Sequence, residues 1–513
     1  MTDSTPQQRR RILVAMCLAL GAVVGSASGL NVAQQELAFD LNASQSDVLW
    51  IINSYVVALA ALLLPMGAIA DRWGRRAVLV AGFVVFGLAS TGAAFADTVD
   101  LMLAARIGAG VGAAMIMPVT LSVITTTFPP DARAQAIGVW SGVAGGGGLL
   151  GMIVCALLVD AADWRWLFGF PVALTLAGLA MTFVSVPNSR ERIAGRFDVP
   201  GSILSFAGVG GLVFAIHEGP EHGWGAPLTI TSLVVGVAST LGFVAWELRA
   251  RNPLLDVRAF RDRRLALGSS TLLLLFAVSS GTFVVLFPFF QMVLDWSALG
   301  SMLGLLPFIV VMMGASGAAA HVAKRIGSAA TTTVGIGIAM VGLALMALLV
   351  SVDGGFFVLL PGMMAIGLGM GLTMPIATEA ITSSLPDESQ GVASALNDTT
   401  RELGSAIGVA LLGAVLTASY RSAIEPDLGR YPGAPADAAL EGLGRALDVS
   451  SGTPQGSALI ATARQAFAEG WSSSMWAATA VTAVLFAVLL VNGRRARADM
   501  HPSDATLAEP SPR

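Results

Sequence analysis

The sequence predicts an all-α polytopic membrane protein with fourteen transmembrane helices. Composition, the length of the apolar runs and the placement of the arginines predict it. Hydrophobic residues make up 55% of the 513 and charged residues 12%, against about 25% charged in a typical soluble domain. Mean hydropathy is +0.75. Runs such as 78–96 and 265–290 exceed the roughly 18 apolar residues that read as a membrane-spanning helix. The net charge of −4 says little about partners, because the distribution of charge matters more than its sum.

Taken in order between charged or Pro/Gly breaks, the helices fall at 12–34, 48–70, 77–96, 101–124 and 135–159, then at 164–187, 199–217, 227–247, 265–290 and 297–321. The last four are 329–350, 355–380, 391–418 and 471–493. The first follows Arg9, Arg10 and Arg11 and contains Ser26 and Ser28, so it imitates a signal peptide. Its length and the spans behind it mark an uncleaved first helix.

Arginine placement tests the count. With a cytoplasmic N-terminus, alternate loops must be basic. The inner segments hold Arg9 to Arg11, Arg72, Arg75, Arg76, Arg133, Arg190, Arg192 and Arg196. They also hold Arg249, Arg251, Arg258, Arg261, Arg263, Arg264, Lys324, Arg325, Arg494, Arg495, Arg497 and Arg513. Arg165 is the exception among the short outer loops, and the long outer segment 419–470 carries four arginines, where the rule does not apply. A miscount by one helix would spoil this alternation. Both termini are therefore expected inside.

The segment 419–470 is rich in Ala, Gly, Pro and Asp, with short amphipathic helices expected at 436–447 and 458–468. The polar tail 498–513 is expected to be disordered. No loop holds enough apolar residues to bury a soluble catalytic core, and no nucleophile, base and oxyanion-donor set stands out. Cys17 and Cys155 both lie in apolar runs, which argues against a disulfide or a metal site.

Between the second and third helices stands "GAIADRWGRR", containing Gly67, Asp71, Arg72, Gly74, Arg75 and Arg76. The glycine lets two helices approach. The acid and arginines sit where the chain turns at the inner face, able to pair with each other and with a neighbouring helix end. As a bare pattern this is a positive-inside loop, but its spacing resembles the signature loop of the major facilitator superfamily.

Other stretches resemble the fourteen-helix drug:proton antiporter branch of that superfamily. They are "WIINSYVVALAALLLPMGAIADRWGRR" in the second helix, "RIGAGVGAA" from Arg106 in the fourth, "WRWLF" from Trp164, "FRDRR" from Phe260 and "GVASALNDTTRELG" from Gly391. The resemblance runs from about residue 12 to 493. It implies a major facilitator fold, with two six-helix bundles around a central cavity and two inserted helices. The bundles then occupy 1–190 and 264–497, with the insertion at 191–263. It further implies alternating access by rocking of the bundles, and export of small amphipathic compounds such as drugs, antibiotics or toxic metabolites in exchange for protons. A bacterial plasma membrane, function as a monomer, no cofactor, no metal and no nucleic-acid partner go with it.

Ionisable residues inside the membrane are candidate functional sites, since burying a charge in lipid costs several kcal/mol. Arg106, in the outer half of the fourth helix, is either a structural pair or, from the family motif, a participant in proton transfer. Asp398, Arg401 and Glu402 lie on one helix face at i, i+3 and i+4. Asp398 and Arg401 neutralise each other, or Asp398 or Glu402 faces the cavity and takes up a proton. Asn397 either hydrogen-bonds substrate or ties helices together. Ser26, Asn31, Gln34, Asn397 and Arg401 are the cavity candidates. Glu379 and His321 are expected at inner interfaces, and His217 and His222 in an outer loop region.

Two departures from the branch stand out. Its first helix usually carries an acid before N-V-A-L-P; here Ser26 takes that place, and Gln34 and Gln35 replace Leu-Pro. That weakens the case for strongly cationic drugs. It favours as the alternative a narrow-substrate exporter or facilitator of an endogenous metabolite, peptide or lipid, with non-standard or no proton coupling. A transport-incompetent scaffold or sensor of the same fold is the third possibility, and the intact Asp71/Arg75/Arg76 loop argues against it. The second departure is in "GGGGLLG" at 145–151, which has the spacing of a dinucleotide-binding loop. It lies inside one continuous apolar run, which in lipid must be helix, with no strand before it. Gly138, Gly142 and Gly146, and likewise Gly147 and Gly151, are spaced four apart as close-packing stripes. Met152 stands where the branch has a proline, so a straighter helix is expected.

Overall fold

The computed structural model describes residues 5–187, 196–352, 354–431, 433–450 and 454–498. Arg190, Arg192 and Arg513, the first bundle's expected boundary at 190 and residues 499–513 of the expected tail lie outside them. Among the described residues the regular structure is helical, with α1 (Pro6–Gly29), α2 (Gln34–Asp40), α3 (Gln45–Trp73), α4 (Arg75–Ala94), α5 (Val99–Thr127), α6 (Pro130–Ala161), α7 (Trp166–Ser185), α8 (Val199–His222) and α9 (Pro227–Glu247) in the first half. The second half holds α10 (Arg263–Pro288), α11 (Ala298–Leu303), α12 (Leu306–Ile326), α13 (Ser328–Leu349), α14 (Leu360–Ser383), α15 (Gln390–Ile424), α16 (Ala434–Glu441), α17 (Leu443–Ser450) and α18 (Pro454–Ala498). Among the described residues, fourteen helical spans are long and apolar enough to cross a membrane. Backbone groups without water must bond within their own segment, which is why every span is helix.

Two bundles of six spans form, α1 with α3–α7 and α10 with α12–α15 and α18, while α8 and α9 pair as a hairpin outside them. The turns joining the second and third spans of each bundle show why a particular residue is needed there. Gly74 has φ 110° and Gly327 has φ 89°, backbone that a side chain disfavours, so each lets two spanning helices meet across a single residue. At the opposite end, Ser44 and Asp47 form a reciprocal cap at the start of α3, with Ser44 N donating to Asp47 Oδ2 at 2.9 Å and Asp47 N to Ser44 Oγ at 3.2 Å.

The bundles meet along two seams, α3 against α15 and α6 against α12. Both contacts are tightest at the arginine-bearing end. A methyl on Gly67 would run into the Gly391 carbonyl and within 2.7 Å of Ala395 Cβ; one on Gly138 would fall 2.6 Å from the Ser316 carbonyl. Ser316 Oγ donates to the Gly138 carbonyl at 2.7 Å. Inserted helix α8 leans on both α3 and α15, with Val209 and Val213 against Ala60, Val57 and Leu403. Trp50 packs on Phe214 with the rings tilted and their centroids 4.5 Å apart.

The fifth span, α6, runs unbroken through Gly145–Gly151 with Met152 inside it, which excludes a phosphate-binding turn. Its glycines divide between two partners. Gly138, Gly142 and Gly146 face α12, while Gly151 faces α1, where a methyl would sit 2.7 Å from Gly25 Cα. Gly147 does not pack with Gly151: its nearest neighbour is Val143 of its own helix, and Gly148 faces α1 at Ser28 instead. A 3.6-residue turn brings the face round at i−3 as readily as at i−4.

The long segment 419–470 differs from expectation in both halves. α16 and α17 are separated at Gly442 (φ 159°), and 458–468 belongs to α18, which continues unbroken into the last span. This segment caps one end of the second bundle, with Ala439, Leu443, Ala446, Leu459 and Ala463 buried. Tyr420 OH donates to the Ala439 carbonyl at 2.8 Å, and Arg464 pairs with Asp295.

Candidate functional site

Most of the candidate residues fall into three polar groups buried among the spans. The first closes the arginine-bearing end. Asp71, at the last turn of α3, accepts from Gly391 N at 2.8 and 2.7 Å on its two oxygens and from Val392 N at 3.1 Å. It thus caps the first turn of α15, whose exposed N–H groups and dipole attract an anion. Arg75 completes it, donating to Asp71 Oδ1 at 2.9 Å and to the Asp387 carbonyl at 3.5 Å, with both side chains buried. Gly67 allows this approach and Gly74 the turn. Arg76 reaches the other way, to the Phe183 carbonyl at 3.1 Å with its guanidinium over the Phe183 ring. Arg72 is half-buried on the same turn.

The second group is on α15. Arg401 Nη1 lies 3.5 Å from Asp398 Oδ1, and Asn397 Nδ2 donates to the same oxygen at 3.1 Å. All three residues are at most 4% exposed. Arg401 Nη2 donates at 3.3 Å to the carbonyl of Ala144, on α6 of the other bundle. Its guanidinium rests 4.6 Å over Phe276 and 5.7 Å over Trp140, whose Nε1 donates to Thr120 Oγ1 at 2.9 Å. Asp398 Oδ2, Asn397 Oδ1 and Arg401 Nε have no hydrogen-bond partner among the described residues. The group therefore joins helices of both bundles and keeps donors and acceptors without protein partners in a buried setting, where unpaired polar atoms are costly. Glu402, half-buried, adjoins it on the same helix.

The third group is built around Arg106 on α5. Its Nε donates to the Ile51 carbonyl at 3.1 Å, and Nη1 to Ser26 Oγ at 3.2 Å and the Ser26 carbonyl at 3.4 Å. It lies 4.4 Å over the ring of Tyr55, whose hydroxyl donates to the Val23 carbonyl at 2.9 Å. The Ser26 carbonyl is in the last turn of α1, so the guanidinium meets the negative end of that helix.

The cavity candidates thus separate. Ser26 belongs with Arg106, and Asn397 and Arg401 belong with Asp398. Asn31 and Gln34 bond to each other at 3.4 Å where α1 ends, and Asn31 is exposed. His321 is exposed and Glu379 half-buried; His217 Nδ1 contacts the Val213 carbonyl at 2.8 Å, and His222 pairs with Glu218 at 3.0 Å. Sequence reasoning passed over the platform of Trp140, Thr120, Phe276 and Ala144, because an aromatic or alanine in an apolar helix carries no signal of which way it faces. It also passed over Asp198 and Glu247, buried where α8 begins and α9 ends. Asp198 accepts from Gly201 N and Trp246 Nε1, both at 2.9 Å, and ties the hairpin to its own following loop through Leu254 N at 3.3 Å. Among the described residues no group of three or more metal-ligating side chains converges.

Comparison with known proteins gives concordant results. The sequence profile of the Major Facilitator Superfamily matches residues 14–409. The chain is 30% identical over 512 residues to the multidrug resistance protein Stp of Mycobacterium tuberculosis (strain CDC 1551 / Oshkosh), covering 98% of this chain and 94% of that one. It is 33% identical over 498 residues to the multidrug efflux pump LfrA of Mycolicibacterium smegmatis, covering 96% of each. The solved structure of the proton:xylose symporter XylE superposes with a TM-score of 0.59 at 14% identity, covering 95% of this chain and 96% of that one.

Proposed function

This chain belongs to the Major Facilitator Superfamily, and from that premise we propose that it exports small amphipathic compounds from the cell in exchange for protons. The relatives named for multidrug resistance and multidrug efflux support the export of drugs. The observation that carries proton exchange is the buried Asp398–Arg401 pair with its bond to the Ala144 carbonyl of the opposite bundle.

The mechanism follows from that bond. With Asp398 ionised, Arg401 is neutralised on its own helix and still bridges the bundles. A proton taken up by Asp398 removes the counter-charge, so the guanidinium must find its stabilisation elsewhere, from Ala144, the rings of Phe276 and Trp140, or water in an opened cavity. The two arrangements of the bundles therefore differ in how well they tolerate the protonated site, which is the requirement for a proton to shift a two-state equilibrium. Asp71 and Arg75 stabilise the arrangement closed at the arginine-bearing end, which we assign to the cytoplasm by the positive-inside rule. A cell-membrane location, cytoplasmic termini and action as a monomer complete the proposal.

In everted vesicles, wild-type protein is expected to take up drug in response to an imposed pH gradient and to release protons on drug addition. Asp398→Asn should abolish both responses. Retention of full proton-driven uptake by Asp398→Asn and Glu402→Gln alike would refute the coupling assignment. Absence of flux for any compound would favour the scaffold reading.

A narrower substrate range is the second reading, favoured by Ser26 in the place of the first-helix acid of related antiporters.

A further inference from the structure

Three arginines are buried among the described residues: Arg75, Arg106 and Arg401. Arg75 has Asp71 at 2.9 Å and Arg401 has Asp398 at 3.5 Å. Arg106, 1% exposed, has no carboxylate in an ion pair among the described residues. Every acceptor it touches is neutral: the Ile51 and Ser26 carbonyls and the Ser26 hydroxyl. Its Nη2 has no hydrogen-bond partner among the described residues. Glu402, whose charge reaches Tyr55, lies on α15 of the other bundle and forms no ion pair with Arg106 among the described residues.

The end of α1 offsets part of this charge, but a helix C-terminus is equivalent to only roughly half an elementary negative charge. A net positive field remains at a point where the first bundle faces α15. The side chain at 26 decides this. An acid there would neutralise Arg106; Ser26 instead accepts from Nη1 and keeps its own hydroxyl proton to donate. The seat thus presents donors, from Nη2 and the Ser26 hydroxyl, beside the face of Tyr55, and no acceptor charge. Such a seat suits an oxyanion attached to an apolar or aromatic body, and it repels a fixed cation.

We propose that Ser26 and Arg106 set the charge specificity of this exporter, so that it carries amphipathic organic anions, with the carboxylate of the transported compound held by Arg106. The proposal rests on the export reading. Arg106 supplies the charge, Ser26 leaves it uncompensated, and Tyr55 holds the guanidinium plane in position from below. The bundle opening that admits substrate uncovers Nη2.

The test measures export from proteoliposomes of two panels: the monocarboxylates benzylpenicillin, fusidate and cholate, and the cations ethidium and tetraphenylphosphonium. Wild type should export at least one carboxylate faster than either cation. Arg106→Gln should cut carboxylate export by about tenfold or more, and Arg106→Lys should keep a measurable part of it. Ser26→Asp, which supplies the missing counter-charge and so does not depend on a folded charge-deleted variant, should lose carboxylate export and gain cation export. Cation-only export by wild type, or carboxylate export unchanged in both Arg106→Gln and Ser26→Asp, overturns the proposal while leaving the export reading standing. Export of neither panel overturns the proposal, and flux of an uncharged compound in the same proteoliposomes then decides whether the export reading stands. Benzylpenicillin flux that chloride abolishes and Ser26→Asp leaves unchanged would identify an inorganic-anion site and overturn it too.

Discussion

Asp71 Oδ2 lies 2.7 Å from the backbone nitrogen of Gly391, a residue 320 positions further along the chain and on the opposite bundle. The bonds that the carboxylate accepts from Gly391 N and Val392 N exist only while α3 and α15 are together, and Arg75, four residues on in its own bundle, holds the carboxylate for them. Hydrogen bonds to a charged group contribute about 1.5–3 kcal/mol, and about 1.4 kcal/mol is a factor of ten in an equilibrium. Asp71→Asn keeps an acceptor but loses the charge that meets the helix dipole and Arg75. Export should fall about tenfold or more, with substrate binding retained, because the closed arrangement is no longer favoured. The measurement is initial export rate alongside binding of the same compound to purified protein. Full-rate export by Asp71→Asn would remove the gating role.

The glycines of α6 make a sharper test because they predict opposite signs within five residues. A methyl at Gly147 meets only Val143 Cγ1 at 3.5 Å, an ordinary contact, so Gly147→Ala should raise stability by about 0.5–1 kcal/mol through helix propensity. A methyl at Gly151 would sit 2.7 Å from Gly25 Cα, backbone that cannot step aside. Gly151→Ala should lower stability by about 1–3 kcal/mol, as overpacking does. Thermal unfolding in detergent separates them. Equal shifts for the two variants would mean that α6 is rotated from its described position.

This contrast marks what the sequence made legible. The number and order of the spans could be read because lipid leaves the backbone no alternative to helix and arginines mark alternate loops. Asp398 with Arg401 could be read because three residues apart on one helix is one face. Ser26 with Arg106, 80 positions apart, and Asp71 with Gly391 required the rotation of separate helices, which an almost uniformly apolar sequence does not encode strongly. The same ambiguity put Gly147 where Gly148 belongs. The start of α18 was missed for another reason: its first turns are polar enough to resemble a loop, yet they pack on α16 and α17 and have no need to be apolar throughout.

At the end of the first bundle away from the arginines, Asp40 fastens the α2 segment to the turn before α7. It accepts from Trp164 Nε1 at 2.8 Å and Arg165 Nη1 at 3.1 Å. The Trp164 hydrogen bond, then Arg165, holds its carboxyl below the ordinary carboxylate value. A group lowered on folding contributes stability that is fully present above its unfolded pKa, about 3.9 for Asp, and is lost as pH falls through the lower folded value. The melting-temperature gap between wild type and Asp40→Asn should therefore be constant from about pH 8 to 5 and close below about pH 4. A gap that widens on acidification would contradict the arrangement.

Arg401 distinguishes charge from shape. A lysine there keeps a positive charge for Asp398 but loses the planar fork and the stacking on Phe276 and Trp140, which a compact ammonium does not reproduce. If Arg401 acts only by neutralising Asp398, Arg401→Lys should couple export to protons normally. If the bond to the Ala144 carbonyl links proton uptake to bundle movement, Arg401→Lys should still bind drug while its pH-gradient-driven export falls about tenfold, and drug exchange without a gradient should persist. The second outcome is expected, because among the described residues this group's hydrogen bond to the other bundle comes from Nη2, the nitrogen not engaged with Asp398. Exchange and gradient-driven export measured in the same proteoliposomes provide the comparison, and normal coupling in Arg401→Lys would reduce Arg401 to a counter-ion.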